Sequence, residues 1–269
     1  MNATETRHRL SGAMDAPTNR RGVEKKRAPK AIPHTIAVVA ILLASAGSAF
    51  ATPSTTYWTP CTIDIQPAGV VHLGVDDYFA VGATSAVGQF PTDVGLTFGA
   101  NLTKKLSAEY GVDVLSPGAH PLYFNAKIGF REGVISKSAP AVQVGFFNFG
   151  TASNVTNQNI VYLVVGKSLP NGKTRLAAAY YNGNQDVLRD GNGDQEDTGY
   201  MIAFDHAIVP GKWVLAGDFA SGNNAIGGGG VGIYYYFTKD VSILAGPVWF
   251  NDERINGPAK MTVQFDINF

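Results

Sequence analysis

The sequence predicts an all-β fold: a transmembrane, antiparallel, up-and-down β-barrel of about 12 strands. Three observations lead there. Apolar and polar residues alternate along most of the chain, most clearly in its last nine residues, Met261 to Phe269. The one long apolar run lies near the start and is too short to cross a membrane as a helix. The links between alternating segments are short and long by turns, as in a barrel with tight turns at one end and loops at the other.

Alternation matters because successive side chains on a strand point to opposite faces. Met261, Val263, Phe265, Ile267 and Phe269 share one face, and Thr262, Gln264, Asp266 and Asn268 share the other. A soluble β-sandwich shows the same rhythm with its apolar face inward, so alternation alone leaves both arrangements open. In lipid every backbone polar group needs a partner within the protein, so strands that cross must close into a barrel.

The start of the chain reads as an address. Residues 1–34 are polar and basic, Ile36 to Ala46 is an apolar run of 11 residues, and Gly47-Ser48-Ala49-Phe50-Ala51 follows. That order predicts a secretory signal peptide over residues 1–51, cleaved after Ala51. The flank is long for such a leader, which makes Met14 an alternative start. The remaining 218 residues carry 13 Lys/Arg and 18 Asp/Glu, a net charge of −5. A mildly acidic exported chain argues against nucleic acid, which calls for a basic stripe. The single cysteine, Cys61, permits no internal disulfide.

Residues 52–66 read as a periplasmic lead-in that either hangs free or enters the lumen, because Pro53, Pro60 and Pro67 discourage regular ladders, and residues 67–269 read as the barrel. Strands are expected at 69–81, 92–102, 105–115, 121–132, 140–150, 158–168, 173–182, 198–208, 211–220, 229–238, 240–250 and 260–269. In the third, Leu106, Ala108, Tyr110, Val112 and Val114 oppose Ser107, Glu109, Gly111 and Asp113. Short turns follow strands 2, 6, 8 and 10, and longer polar or Gly-rich links follow the odd-numbered strands. The junction after strand 4, Gly133 to Ala139, is longer than this rule asks. Phe146, Trp213, Phe219, Tyr235, Phe237, Trp249, Phe250 and Phe269 fall near strand ends or on apolar faces, where aromatic girdles sit.

With these features the chain resembles bacterial outer-membrane β-barrel proteins of the porin-like superfamily across its whole mature region. The most specific element is Val263-Gln264-Phe265-Asp266-Ile267-Asn268-Phe269. It is similar to the C-terminal signal that the barrel-assembly machinery reads in that superfamily, carried here by Phe265, Ile267 and Phe269. Tyr57-Trp58-Thr59-Pro60 and Asp64-Ile65-Gln66-Pro67 resemble the lead-in of small barrels of the same kind. The resemblance implies an outer-membrane location in the Gram-negative envelope, with membrane lipid and the assembly machinery as partners. It names no activity, because one fold hosts many functions.

The inward-facing charges are the first candidate site: His72, Asp76, Glu109, Asp113, Lys127, Arg131, Lys167, Arg175, Asp205, Asp218 and Asp266, with Gln264. Such residues either line an aqueous path and bias which ions cross it, or pair across the lumen and plug it. Inward glycines (Gly95, Gly99, Gly111, Gly129, Gly145, Gly230 and Gly232) leave room for a passage. The expected function is therefore passive diffusion of small hydrophilic solutes through a narrow polar lumen. The alternative is a non-conducting scaffold or surface-recognition barrel that works through its outer loops. The acidic loop 183–197 is expected to fold over the mouth or hold a cation, with Asp190, Asn192 and Asp194 at the spacing of a calcium loop. It departs from that motif at Gln195 and Met201. Otherwise no cofactor is expected. His72, His120 and His206 lack an evident serine partner, so an enzyme is not the expected reading.

Overall fold

The computed structural model describes residues 55–80 and 90–269. The expected signal peptide and its cleavage point lie outside the described residues. Twelve strands close into one antiparallel barrel in simple sequential order: β1 (Val71–Phe79), β2 (Thr92–Asn101), β3 (Leu106–Ser116), β4 (Leu122–Phe130), β5 (Ala141–Gly150), β6 (Asn157–Ser168), β7 (Thr174–Asn182), β8 (Thr198–Val209), β9 (Trp213–Ala220), β10 (Gly228–Tyr236), β11 (Val241–Phe250) and β12 (Lys260–Asn268). Each strand end lies within two residues of its expected position. Closure comes from β12 pairing with β1, with Val75 opposite Phe265 and Asp76 opposite Gln264. A sheet closed in this way has no free edge to satisfy.

The burial pattern settles the choice that alternation left open. Along β12 the polar residues Thr262, Gln264, Asp266 and Asn268 are buried, while Met261, Val263, Phe265 and Ile267 are only half-buried. On β6, Val161, Leu163 and Val165 are exposed while Ile160, Tyr162 and Val164 are buried. Exposed Tyr110, Phe124, Tyr180, Tyr200 and Ile202 extend the same outer band. A sandwich in water hides its apolar face; this barrel presents it outward, as a lipid-facing surface requires.

Tight turns join β2–β3, β6–β7, β8–β9 and β10–β11 at the end where β1 begins, called here the turn end. The long β4–β5 turn is no free loop. Its Glu132 accepts bonds from the Ser168 backbone N–H and hydroxyl at 2.9 and 2.7 Å, and its Ser138 carbonyl accepts from Lys167 Nζ at 2.7 Å. Lys167 therefore requires a correction. It shares parity with the outward Val161, Leu163 and Val165, and lies exposed at the rim rather than in the lumen. One residue from the strand end, a lysine stem covers apolar surface while its ammonium stays among polar groups.

At the opposite, loop end, the links are long, and one carries a single helical turn, α1 (Glu253–Asn256). The 183–197 loop does fold inward: Leu188 is fully buried beside Ile160, Tyr181 and Ile226. Two neighbouring loops clasp it. Arg254 donates to both oxygens of Asp252, with Nε at 2.9 Å and Nη2 at 2.6 Å, and through Nη1 to Asn192 Oδ1 at 2.7 Å. Asp252 Oδ2 also accepts from the Gly191 N–H at 3.2 Å. Asn224 adds bonds to Tyr181 Oη and to the Glu196 carbonyl.

The clasp has a pH limit. Hydrogen bonds from Arg254 hold the Asp252 carboxyl down from 3.8 to about 2. A depressed carboxyl contributes its stabilisation above its ordinary range and loses it as pH falls through the folded value. Amide exchange at Gly191 is therefore expected to stay slow down to about pH 4, once corrected for intrinsic rates, and to accelerate between there and about pH 2. Unchanged protection at pH 2, or loss already at pH 5, would remove Asp252 as the clasp's anchor.

Candidate functional site in the barrel lumen

The lead-in takes the second of its two expected courses and enters the lumen. Its described part, residues 55–66, runs inside the barrel, with Tyr57, Thr59, Cys61 and Gln66 fully buried. It enters at the turn end, where Ala68 bridges to Gly99 of β2. A side chain at 99 would stand 2.2 Å from the carbonyl oxygens of Gln66 and Pro67, so only glycine admits the chain there. The segment then climbs toward the loop end, held almost entirely by side chains of the wall.

The predicted lumen charges on this path hold the segment or pair beside a residue that does. Glu109 Oε2 accepts from the Gln66 N–H at 2.7 Å, and Glu109 Oε1 lies 3.1 Å from Lys127 Nζ. Arg131, just past the end of β4, reaches the Ile65 and Gln66 carbonyls at 3.3 and 3.4 Å. Arg175 grips Asp64 with both terminal nitrogens at 2.7 and 2.8 Å and Asp205 with Nε at 2.8 Å. Gln143 Nε2 donates to the Ile63 carbonyl at 2.6 Å. The densest anchor is Asp218 on β9, whose carboxylate accepts three successive backbone N–H groups: Tyr57 at 3.0 Å, Trp58 at 3.0 Å and Thr59 at 2.8 Å. The Thr59 hydroxyl adds a fourth bond at 3.0 Å. Bonds to an ionised acceptor contribute roughly 1.5–3 kcal/mol each, against about 1 for neutral pairs.

The room expected from inward glycines is therefore taken. A Cβ on Gly230 or Gly232 would fall 2.1 or 2.5 Å from the Tyr57 ring, and one on Gly166 would strike Ile63 at 2.5 Å. Tyr57 also donates from its hydroxyl to the Pro247 carbonyl at 3.0 Å, and its own carbonyl accepts from Gln264 Nε2 at 2.8 Å.

Beside the segment, along β1 to β4 and β12, a cavity of about 280 Å³ remains. Its walls carry the carboxylates of Asp76, Asp93, Asp113 and Asp266, with His72 and no lysine or arginine among the lining residues. Aromatic rings of Trp58, Tyr78 and Phe90 close one side. Asp76 stands opposite Asp93 in the β1–β2 register, which places two carboxyl groups across one ladder. His72 bridges Asp266 (Nε2–Oδ1 3.4 Å) and Asn268 (Nδ1–Oδ1 3.1 Å). Asp113 accepts from Asn125 Nδ2. Asn125 in turn accepts from the Asn148 N–H at 2.9 Å, where a bulge with Asn148 at φ 54° interrupts the β5–β6 register. A bulge re-aims its residues, and this one turns polar groups toward the cavity.

Other sequence candidates sit elsewhere. Asp190 uses Oδ1 to accept the N–H groups of Asn192 and Asp194 at 2.8 and 2.9 Å, and Oδ2 to accept Asn192 Nδ2 at 3.1 Å. Asn192 Oδ1 faces the Arg254 guanidinium, so the expected calcium triplet is arranged as a self-capped turn beside a cation. Among the described residues no three His, Cys, Asp or Glu side chains gather as a metal site. His206 faces outward and bonds the Thr174 hydroxyl at 2.8 Å, and His120 is exposed in a loop. Phe265 and Ile267 lie on the outer face of β12, with Phe269 exposed just beyond its end.

The sequence left open whether the lead-in enters the lumen, and it did not single out Asp93 or Gln143. A signal was present. Tyr57, Thr59, Cys61, Ile63 and Ile65 alternate as a strand does, but the prolines around them masked the rhythm.

No protein-family model matches the chain, and no curated protein does. Solved structures do match in shape. A KdgM porin superposes with a TM-score of 0.51 at 8% identity, covering 74% of this chain and 99% of that one. A NanC porin gives 0.50 at 10% identity, covering 74% and 98%. At such identities the likeness concerns the fold, and it agrees with the closed sheet, the inverted burial and the turn asymmetry. In fold, the chain is a closed, 12-stranded antiparallel β-barrel of the shape these porins have.

Proposed function

We propose that the protein is a narrow outer-membrane channel that passes small hydrophilic solutes, cations above all, beside its own lead-in segment. The observation that carries this reading is the acid-lined cavity next to residues 55–66. Its volume of about 280 Å³ leaves room for water, ions and small solutes. Carboxylates on the wall favour cations, as in other acid-lined pores. The outer band of apolar and aromatic side chains suits membrane lipid, and Phe265, Ile267 and Phe269 would present the assembly signal. Diffusion through such a path needs no catalytic group and no cofactor.

The threaded lumen favours a second reading, a closed barrel acting through its clasped outer loops. Conductance separates the two. Residues 52–269, refolded and inserted in a planar lipid bilayer, are expected to give small, discrete, salt-dependent steps. A heat-modifiable barrel that stays electrically silent would reject the channel and leave the loops as the working part.

A further inference from the structure

We propose that residues 55–66 are a releasable plug, hinged at the turn end, whose withdrawal converts the narrow passage into a wider one. This rests on the channel reading above but concerns a different part of the lumen.

The segment is held in a way that permits release. A lumen-filling element that belonged to the wall would share the wall's ladder, yet between 57 and 66 the contacts with the barrel run to side chains and isolated carbonyls. The Ala68–Gly99 bridge marks where pairing to the wall begins. All twelve strands close with one another without the segment, so its departure breaks no interstrand pair. Just beyond that bridge Gly69, at φ 80°, a backbone state that glycine adopts freely, turns the chain from the wall into the segment and stays bonded to Gly99.

Three of the holds bear most directly on release. Asp218 collects the three N–H groups at the far tip, Arg175 holds Asp64 midway, and Gly230, Gly232 and Gly246 form a socket for the Tyr57 ring. A socket of glycines around one aromatic side chain is a detachable fit. Without Tyr57, nothing else on the segment fills it. The wall uncovered by withdrawal would carry Asp218, Gln143, Gln264, Arg175, Asp205 and the Tyr234 hydroxyl, polar groups that water can satisfy in place of the plug.

The chain holds its own reporter. Cys61, its single cysteine, is completely buried in the middle of the segment. While the plug is seated, a bulky membrane-impermeant maleimide has no route to it. The test compares wild type with Tyr57→Ala, which empties the glycine socket without touching the wall, and with Asp218→Asn, which weakens the tip anchor. Each is refolded as residues 52–269, checked for heat-modifiable migration, and followed for both Cys61 labelling and conductance. The expected result is labelling at least about tenfold faster in Tyr57→Ala, the change in open population that about 1.4 kcal/mol brings. Larger conductance steps are expected with it.

Folded Tyr57→Ala that labels no faster, or labels faster at unchanged conductance, overturns the plug. If Asp218→Asn fails to fold, Tyr57→Ala decides alone. A silent wild type with a conducting Tyr57→Ala would uphold the plug while rejecting the resting passage. A conducting wild type with unaltered Tyr57→Ala would do the reverse.

Discussion

Glu109→Gln is expected to destabilise the barrel by about 3–5 kcal/mol, the usual result of removing one partner from a buried ion pair. Glu109 and Lys127 stand directly opposite in the β3–β4 register, and their side chains are 5% and 1% exposed. Lys127 Nζ lies 3.1 Å from the carboxylate but lacks a well-aligned hydrogen bond, so charge is what compensates its burial. A neutral amide leaves that ammonium stranded, although it can still accept from the Gln66 N–H. The double variant Glu109→Gln with Lys127→Met removes both charges at similar volume and is expected to recover most of the loss. Urea unfolding of the detergent-refolded barrel, followed by tryptophan fluorescence, measures all three proteins. Equal losses in the single and double variants would show that the stranded ammonium does not carry the effect.

The two halves of the molecule were unequally legible in the sequence. The sheet was readable because period-two alternation and turn residues are local signals. Leu106 to Val114 against Ser107 to Asp113 is enough to orient β3, and the structure buries Ser107 and Glu109 as that pattern requires. Lys167 is misplaced when charge is weighed above parity. Its parity is that of the outward Val161, Leu163 and Val165, and at a strand end parity wins because the ammonium can reach the rim. The calcium expectation rests on spacing alone, which cannot tell acceptors aimed at an ion from acceptors aimed at their own backbone.

The lumen was harder because its occupant comes from far away in the chain. Asp218 meets Tyr57 across 161 residues, and Gln264 meets it across 207. No local rule links such positions. Gly230, Gly232 and Gly246 could be read as space, but whether space is filled by water or by a tyrosine depends on the whole closed sheet. The same fact separates the two functional ideas. Glu109, Lys127, Arg131, Arg175, Asp205 and Asp218 hold the segment or pair beside it. Asp76, Asp113 and Asp266 instead face the remaining cavity with His72.

That division predicts where selectivity resides. In wild type, a salt gradient across the bilayer is expected to give a reversal potential of the sign set by cations. Asp76→Lys together with Asp113→Lys turns two of the four cavity carboxylates into ammoniums, while Asp93 and Asp266 remain. A unit charge about 5 Å from a passing ion contributes roughly 3 kcal/mol at an effective dielectric near 20. Two ammoniums placed there are ample for a tenfold change in permeability ratio, which takes about 1.4 kcal/mol. The double variant is therefore expected to lose cation preference by at least about tenfold and to approach or cross into anion preference. Charge reversal at Lys167 provides the contrast, because its exposed side chain lies on the outer face and should leave the reversal potential unchanged. If Lys167→Glu moves the potential while the Asp76 and Asp113 changes do not, ions avoid the acid-lined cavity and the passage lies elsewhere. Because all three positions are on the same barrel, one set of gradients decides between a path chosen by these carboxylates and one that ignores them.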